Sequence, residues 1–237
     1  MVERKGTVDR AFLDFIELVV SGSSKEVSLR LTATPNLATS ASEVGATRQG
    51  STNFFFEDIR HYLYRGDTPL HMAAAAFRRP VAEILVAHGA DCQAKNRRRA
   101  QPLHYAADAN HWNPAAQAET IEYLTSAGAD PNALDFGGVA PLHRAVRTRS
   151  LAAVRALVDA GADPRQRNTS GSTPLHLAVQ PTGRGGAGSQ DARQQQVGIV
   201  RLLLERGARP ADADGNGKDV YQAASSDWIR RLLDDAR

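Results

Sequence analysis

The chain has 237 residues, 42% of them hydrophobic and 23% charged, with one cysteine, 29 Lys+Arg against 26 Asp+Glu and a formal net charge of +3. It is long and apolar enough to bury a core, and its single thiol, Cys92, excludes an intramolecular disulfide framework or a multi-cysteine zinc or iron–sulfur centre. The small net charge argues against nucleic-acid binding, and Asp14 and Glu17 interrupt the apolar stretch after Arg4 and Lys5, so neither a signal-peptide core nor a membrane span is expected and a cytoplasmic protein is.

Phe12, Phe15, Ile16 and Val19 recur at helical spacing and predict a helix over 9–21. A second helix over 24–34 opens on a Ser23-x-x-Glu26 capping box and closes before Pro35. Residues 38–53, rich in Ser, Thr, Gly and Ala, lead into 54–64, where five of the chain's 12 Phe and Tyr fall within eleven residues. Read as a helix, that segment carries an apolar stripe of Phe55, Ile59 and Tyr62, or of Phe56, Ile59 and Leu63. It either completes an N-terminal cap or stays partly exposed as a docking surface. Three consecutive Phe cannot all face inward from one helix, so at least one is expected at the surface or against 38–53.

From residue 65 onward the chain repeats itself. Thr68-Pro69-Leu70-His71-Met72-Ala73 returns as Gln101-Pro102-Leu103-His104-Tyr105-Ala106, as Ala140-Pro141-Leu142-His143-Arg144-Ala145 and as Thr173-Pro174-Leu175-His176-Leu177-Ala178. Gly89-Ala90-Asp91, Gly128-Ala129-Asp130 and Gly161-Ala162-Asp163 follow, with Gly207-Ala208-Arg209 as a weaker fourth copy. Proline suits the first helical position, where its missing N–H costs nothing, and glycine supplies the left-handed stop after a second helix. From signature His to helix-ending Gly the distances are 18, 24, 18 and 31 residues, whereas each of the first three such Gly precedes the next His by 15. All length variation therefore lies between the two helices of a repeat, as insertions of six and 13 residues.

These blocks resemble the ankyrin repeat, a unit of about 33 residues with a β-turn finger, two antiparallel helices and a T-P-L-H-x-A signature. The resemblance implies an all-α solenoid of four repeats, 65–96, 97–135, 136–168 and 169–214. Residues 1–37 would be a helical N-terminal capping pair, 38–64 an insertion with the aromatic segment, and 215–237 a C-terminal half repeat lacking its His. Gln101 and Ala140 depart from the signature Thr, and Arg99 stands where this family usually has Gly.

The resemblance also implies a function: a non-enzymatic scaffold, expected as a monomer, that holds a partner protein on the concave surface made by fingers and first helices. Carried over position by position, the partner-facing residues are Tyr64, Arg65, Asp67, Lys95, Arg97, Arg98, Asp108, Phe136, Val139, Arg147, Thr148, Arg167, Thr169 and Lys218. Arg97-Arg98-Arg99 is the one run of three basic residues, Arg165 and Arg167 start another finger, and Arg144, Arg147 and Arg149 lie on or near a first helix. With Phe136 at a finger tip, they predict a partner with an acidic or aromatic surface. His71, His104, His143 and His176 hold one register and are expected to be structural hydrogen-bonding groups, not metal ligands. No cofactor, metal or catalytic residue is expected: Cys92 has no sequence cue for a base, and the Gly183–Ser189 run lacks the Lys-Ser/Thr pair of a phosphate loop. The competing reading places ligand binding or catalysis on the edge carrying the insertions at 108–118 and 181–196, with Asp108, His111 and Trp112 beside the 181–190 loop.

Overall fold

The first helix is set by its ends: the Asp9 carboxylate accepts from the backbone N–H of Ala11 and Phe12 at 3.0 and 3.2 Å, and Gly22, at φ +84°, turns the chain out of it. In the computed structural model, which describes residues 9–47, 50–108, 112–181 and 189–235, this is α1 (Arg10–Ser21). It buries Phe12, Phe15, Ile16, Val19 and Val20, and α2 (Ser24–Ala33) buries Val27 and Leu31. Ser23 precedes α2 without the side-chain hydrogen bond that the Ser23-x-x-Glu26 spacing predicts.

The helical reading of 54–64 is overturned. β1 (Phe55–Phe56) pairs antiparallel with β2 (His61–Tyr62) across a 3₁₀ turn at Glu57–Ile59, with Arg60 left-handed at φ +47°. Phe54, Ile59 and Leu63 go inward, while Phe55, Phe56, Tyr62 and Tyr64 are half-buried. The backbone is drawn out by pairing on both sides. Leu63 N–H donates to Phe54 C=O, Ala46 N–H to Leu63 C=O, Ser42 N–H to Asp67 C=O and Gly66 N–H to Ser42 C=O, each at 2.8 Å. Residues 42–46 thus run along 63–67 as a stand-in for the finger of a missing preceding repeat. The approach is close enough that a Cβ at Gly45 would lie 2.5 Å from the Arg65 backbone nitrogen.

The chain divides into two compact units. The first holds the described residues up to Ala106 together with 112–130, and adds α3 (Pro69–Ala75), α4 (Arg79–Ala87), α5 (Pro102–Ala106) and α6 (Pro114–Ser126). In it first helices pack on first helices, α1 on α3 and α3 on α5, and second helices on second, α2 on α4 and α4 on α6. The second holds 107–108 and the residues from Pro131, with α7 (Pro141–Arg147), α8 (Leu151–Asp159), α9 (Pro174–Ala178), α10 (Gln190–Glu205), α11 (Val220–Ala223) and α12 (Asp227–Asp234). There α7 packs on α9, α8 on α10 and α9 on α11.

The signature histidines fasten each first helix to the turns. The N–H of the residue before each Pro donates to the imidazole Nδ1: Thr68 to His71 at 3.1 Å, Gln101 to His104 at 3.1 Å, Ala140 to His143 at 3.2 Å and Thr173 to His176 at 3.3 Å. Because the donor is main chain, Gln101 and Ala140 replace Thr without losing it. Nε2 meets the next finger, at Ala100 C=O for His71 (3.1 Å), Ser172 C=O for His143 and Lys218 C=O for His176 (both 3.2 Å). An N–H on one side and a C=O on the other fix the neutral ring with its proton on Nε2. Burial holds His71 and His143 below the ordinary imidazole value of 6.5. The unfolded chain therefore takes up protons first, and stability falls as pH drops through about 6.5, levelling only below the folded values. A thermal midpoint that declines steadily from pH 7.5 to 5 is expected; a flat one would contradict this role. In the terminal half repeat Gln222 takes the histidine's place, its Oε1 accepting from Asp219 N–H at 3.0 Å.

The two insertions leave the repeat and rejoin it in the same way. In the repeats without them, the tight turn between helices lets Arg78 N–H reach Ala73 C=O (2.9 Å) and Ser150 N–H reach Ala145 C=O (3.2 Å). In the inserted repeats the first helix is two residues shorter, five against seven, and a buried glutamine amide replaces the backbone donor: Gln117 to Ala106 C=O at 2.9 Å, Gln196 to Ala178 C=O at 2.7 Å. All four donors stand eleven residues before the helix-ending Gly, and all four acceptors are the signature Ala. Removing either amide leaves a buried carbonyl unmet, so Gln117→Ala or Gln196→Ala should cost about 1–2 kcal/mol in urea denaturation. No loss would show the carbonyl to be satisfied otherwise. Residues 109–111, which include His111, and most of the 181–190 loop lie outside the described residues.

At the finger tips an Asx side chain folds the turn: Asn96 Oδ1 accepts from Arg98 and Ala100 N–H, Asp135 Oδ1 from Gly137 and Val139, Asn168 Oδ1 from Ser170 and Ser172, and Asp214 Oδ1 from Asn216 and Lys218, at 2.8–3.1 Å. Each turn needs a left-handed residue three before the helix start, supplied by Gly66, Gly138, Gly171 and Gly217 but in the second repeat by Arg99, at φ +60°. Relief of that strain, partly offset by the freedom of glycine when unfolded, should make Arg99→Gly more stable by about 0.5–1 kcal/mol. An unchanged or lower urea midpoint would contradict it.

Candidate functional site

In the first unit the aromatic hairpin and the finger at residues 96–100 build an arginine–tyrosine cluster. Phe55 and Tyr62 lie 4.6 Å apart between ring centroids and Tyr62 and Tyr64 6.3 Å apart, a line of rings on the half-buried side of the hairpin. The Arg98 guanidinium sits 5.2 Å from the centroid of Tyr64 and that of Arg97 5.7 Å. Arg97 also donates from Nη2 to Ala46 C=O at 3.1 Å, and its N–H to Arg65 C=O at 3.1 Å, tying finger to hairpin segment. Burial raises the Tyr64 phenol, with Arg98 opposing and Asp67 adding, so its hydroxyl stays protonated. Tyr64 is half-buried; Arg65, Lys95, Arg97 and Arg98 are exposed.

Asp67 lies behind this cluster, wholly buried, not on its surface. Its carboxylate accepts from Tyr64 N–H (2.6 Å), Asn96 Nδ2 (2.8 Å) and the Tyr105 hydroxyl (2.8 Å). Tyr105 in turn stacks with His61 at 4.5 Å and meets His71 edge-on at 5.1 Å. The partner-facing position assigned to Asp67 is thus taken up internally: it holds Tyr64 from beneath. Asn96 and Tyr105 are sequence-silent members of the support, because nothing in their spacing announces one shared carboxylate.

The second unit carries the remaining positions. Arg144, which sequence placed among surface charges, is an internal link: Nη1 donates to Asp108 at 2.7 Å and Nη2 to Asp135 at 2.9 Å, with the three side chains 14%, 13% and 11% exposed. Although burial opposes it, the Arg144 hydrogen bond and the N–H groups of Val139 and Gly137 hold the Asp135 carboxyl below its ordinary range. Asp108, expected to face a partner, is buried in this link, and exposed Arg147 reaches its other oxygen at 3.5 Å. Thr148, half-buried, donates to Arg144 C=O at 3.0 Å. Arg165 is bidentate on Asp212, at 2.9 and 2.8 Å. Arg167 donates to the carbonyls of Gly171 and Ala213. Phe136 is 67% exposed at its finger tip, and Thr169 beside it donates to Gly137 C=O at 2.8 Å. Val139 is half-buried, and Lys218 is exposed.

Burial raises the Cys92 thiol away from thiolate chemistry. Among the described residues no three His, Cys, Asp or Glu side chains are grouped to hold a metal, and no helix is long and apolar enough to cross a membrane.

A sequence profile for ankyrin repeats (3 copies) matches residues 44–135 and 112–214, well over half of the chain. The chain belongs to the ankyrin-repeat family. Its fold is accordingly the all-α ankyrin solenoid class, and ankyrin repeats are in general protein–protein interaction modules, typically without enzymatic activity. The ankyrin match begins at residue 44, inside the segment whose residues 42–46 pair with the first finger. No curated protein matches the chain.

Proposed function

We propose that this ankyrin-repeat protein is a monomeric, non-enzymatic scaffold that holds a partner protein on its fingers and first helices, and that it acts in the cytoplasm. The observation that carries this reading is the state of Arg97 and Arg98. Both are exposed, both lie over the Tyr64 ring, and neither has an acidic partner among the described residues, whereas Arg144, Arg147 and Arg165 are spent on acids of the protein itself. Guanidinium groups held on an aromatic ring keep in-plane donors free for carboxylates. Exposed Phe136 offers a rigid aromatic anchor of the kind that dominates binding energy. The partner is therefore acidic with an aromatic or apolar component. Co-precipitation from the source cells, repeated with Arg97→Glu/Arg98→Glu and with Phe136→Ala, tests the assignment: recovery of the bound protein should collapse for the first and fall for the second, and undiminished recovery by both would sink it.

A further inference from the structure

Between the hairpin segment and the finger at residues 96–100 lies a cleft of about 220 Å³, whose described lining is Thr47, Ser51, Tyr62, Tyr64, Arg97 and Arg98 together with Ala46. It falls below the roughly 300–1,000 Å³ typical of pockets that enclose a cofactor-sized molecule. Its size suits one side chain. Among the described residues its lining side chains hold two cations and no acid, and the other polar ones carry hydroxyls. The Arg97 side chain is pinned by its bond to Ala46 C=O, while the Arg98 guanidinium lies over the Tyr64 ring, 5.2 Å from its centroid, and makes no hydrogen bond among the described residues. Buried Asp67 stands behind Tyr64 and offsets one of the two positive charges.

We propose that this cleft receives one Asp or Glu carboxylate of the partner's docking segment, with the neighbouring apolar residue of that segment laid along the Phe55–Tyr62–Tyr64 rings. The proposal rests on the protein-binding reading above and narrows it to a side chain. The chemistry that selects is bidentate guanidinium–carboxylate pairing by Arg98, assisted by hydroxyls, beside rings that stack an apolar neighbour. The pocket is made by Ala46, Thr47, Ser51, Tyr62 and Tyr64 as much as by the finger, so it is a property of this chain's hairpin segment and not of repeats in general.

The test is a titration of the full isotope-labelled chain with the blocked peptide acetyl-Ser-Glu-Phe-Ser-amide, following the Nε–H signals of Arg97 and Arg98 and the Tyr ring signals. The same peptide with Gln for Glu, and with phosphoserine for Glu, gives the comparison. The Glu peptide should shift these signals and bind at least about tenfold more tightly than the Gln peptide. Arg98→Ala should abolish that difference while leaving the other resonances in place, and Phe136→Ala should leave it intact. Equal affinity for Glu and Gln peptides overturns the proposal. So does phosphoserine binding more than about tenfold tighter than Glu, which would make the site phosphoryl-specific, or stronger shifts of the same signals by oligothymidylate. If Glu selectivity is present but co-precipitation ignores Arg97→Glu/Arg98→Glu, the pocket stands and the partner-surface reading falls. If the partner is lost without Glu selectivity, the reverse holds.

Discussion

Replacing Arg144 by Met should destabilise the second unit by about 3 kcal/mol, because removing one member of a buried ion-pair network leaves its partners uncompensated. Asp108 and Asp135 would then be two carboxylates, little exposed, both facing the gap left by a guanidinium. On a domain of this size such a loss lowers Tm by roughly 6–12 °C. Arg144→Lys should recover little, since an ammonium cannot fork to two carboxylates as the guanidinium does. Adding Asp108→Asn and Asp135→Asn to Arg144→Met should restore part of the loss. The pH dependence follows from the depressed Asp135 carboxyl: its contribution is present above the ordinary value of 3.8 and is lost as pH falls through the lower folded value. The Met variant should show a smaller acid-side loss, that left by the Val139 and Gly137 N–H groups. A shift in Tm of under about 1 °C for Arg144→Met would contradict the account, reducing the network to a solvated surface pair.

The second large effect falls on binding. Charge reversal at Arg97 and Arg98 puts two carboxylates where the partner's acids are to dock, and should weaken the complex by about 100-fold or more, mainly through faster dissociation. Wild-type affinity should itself fall with salt, because the pairing is exposed at its rim. Stability should change little, since both side chains are exposed and, among the described residues, only that of Arg97 makes a hydrogen bond, to Ala46 C=O. Affinity for the recovered partner within threefold of wild type would contradict it.

The repeated His, Pro and Gly were legible in the sequence because they meet local demands: a proline at a helix start, a glycine at a left-handed stop, an imidazole three residues from the N–H it accepts. The helices α1 and α2 were legible from the spacing of Phe12, Phe15, Ile16 and Val19 and from the Pro35 stop, not from Ser23, whose side chain makes no capping hydrogen bond. The hairpin was not. Phe55, Ile59 and Tyr62 fit a helical stripe as well as an alternating one, and the decision came from residues 42–46, whose backbone pairs with 63–67. Asp67 and Asp108 occupy positions where the family presents side chains to partners, yet both are buried by groups distant in sequence, Tyr105 for one and Arg144 for the other. Gln117 and Gln196 carry a readable signal, each eleven residues before the stop Gly, in the register that Arg78 and Ser150 occupy elsewhere. That signal becomes meaningful only once the carbonyls they satisfy are seen. Of the candidate site, sequence placed Tyr64, Arg97, Arg98 and Phe136 at the surface, but the support beneath them, Asp67 with Asn96 and Tyr105, depends on contacts that no spacing encodes.

The most direct test of the central claim, that fingers and first helices hold the partner, is photocrosslinking in the source cells with benzoylphenylalanine placed singly at Lys95, Phe136, Trp112 and Leu29. Lys95 is exposed near Arg97 and Arg98 and leaves both in place. Trp112 is 61% exposed beside one insertion and Leu29 72% exposed on α2, so both are accessible controls away from the finger tips. The account predicts one shared protein adduct from positions 95 and 136 and none of that mass from 112 or 29. An adduct formed from 112 or 29, with 95 and 136 silent, would contradict it.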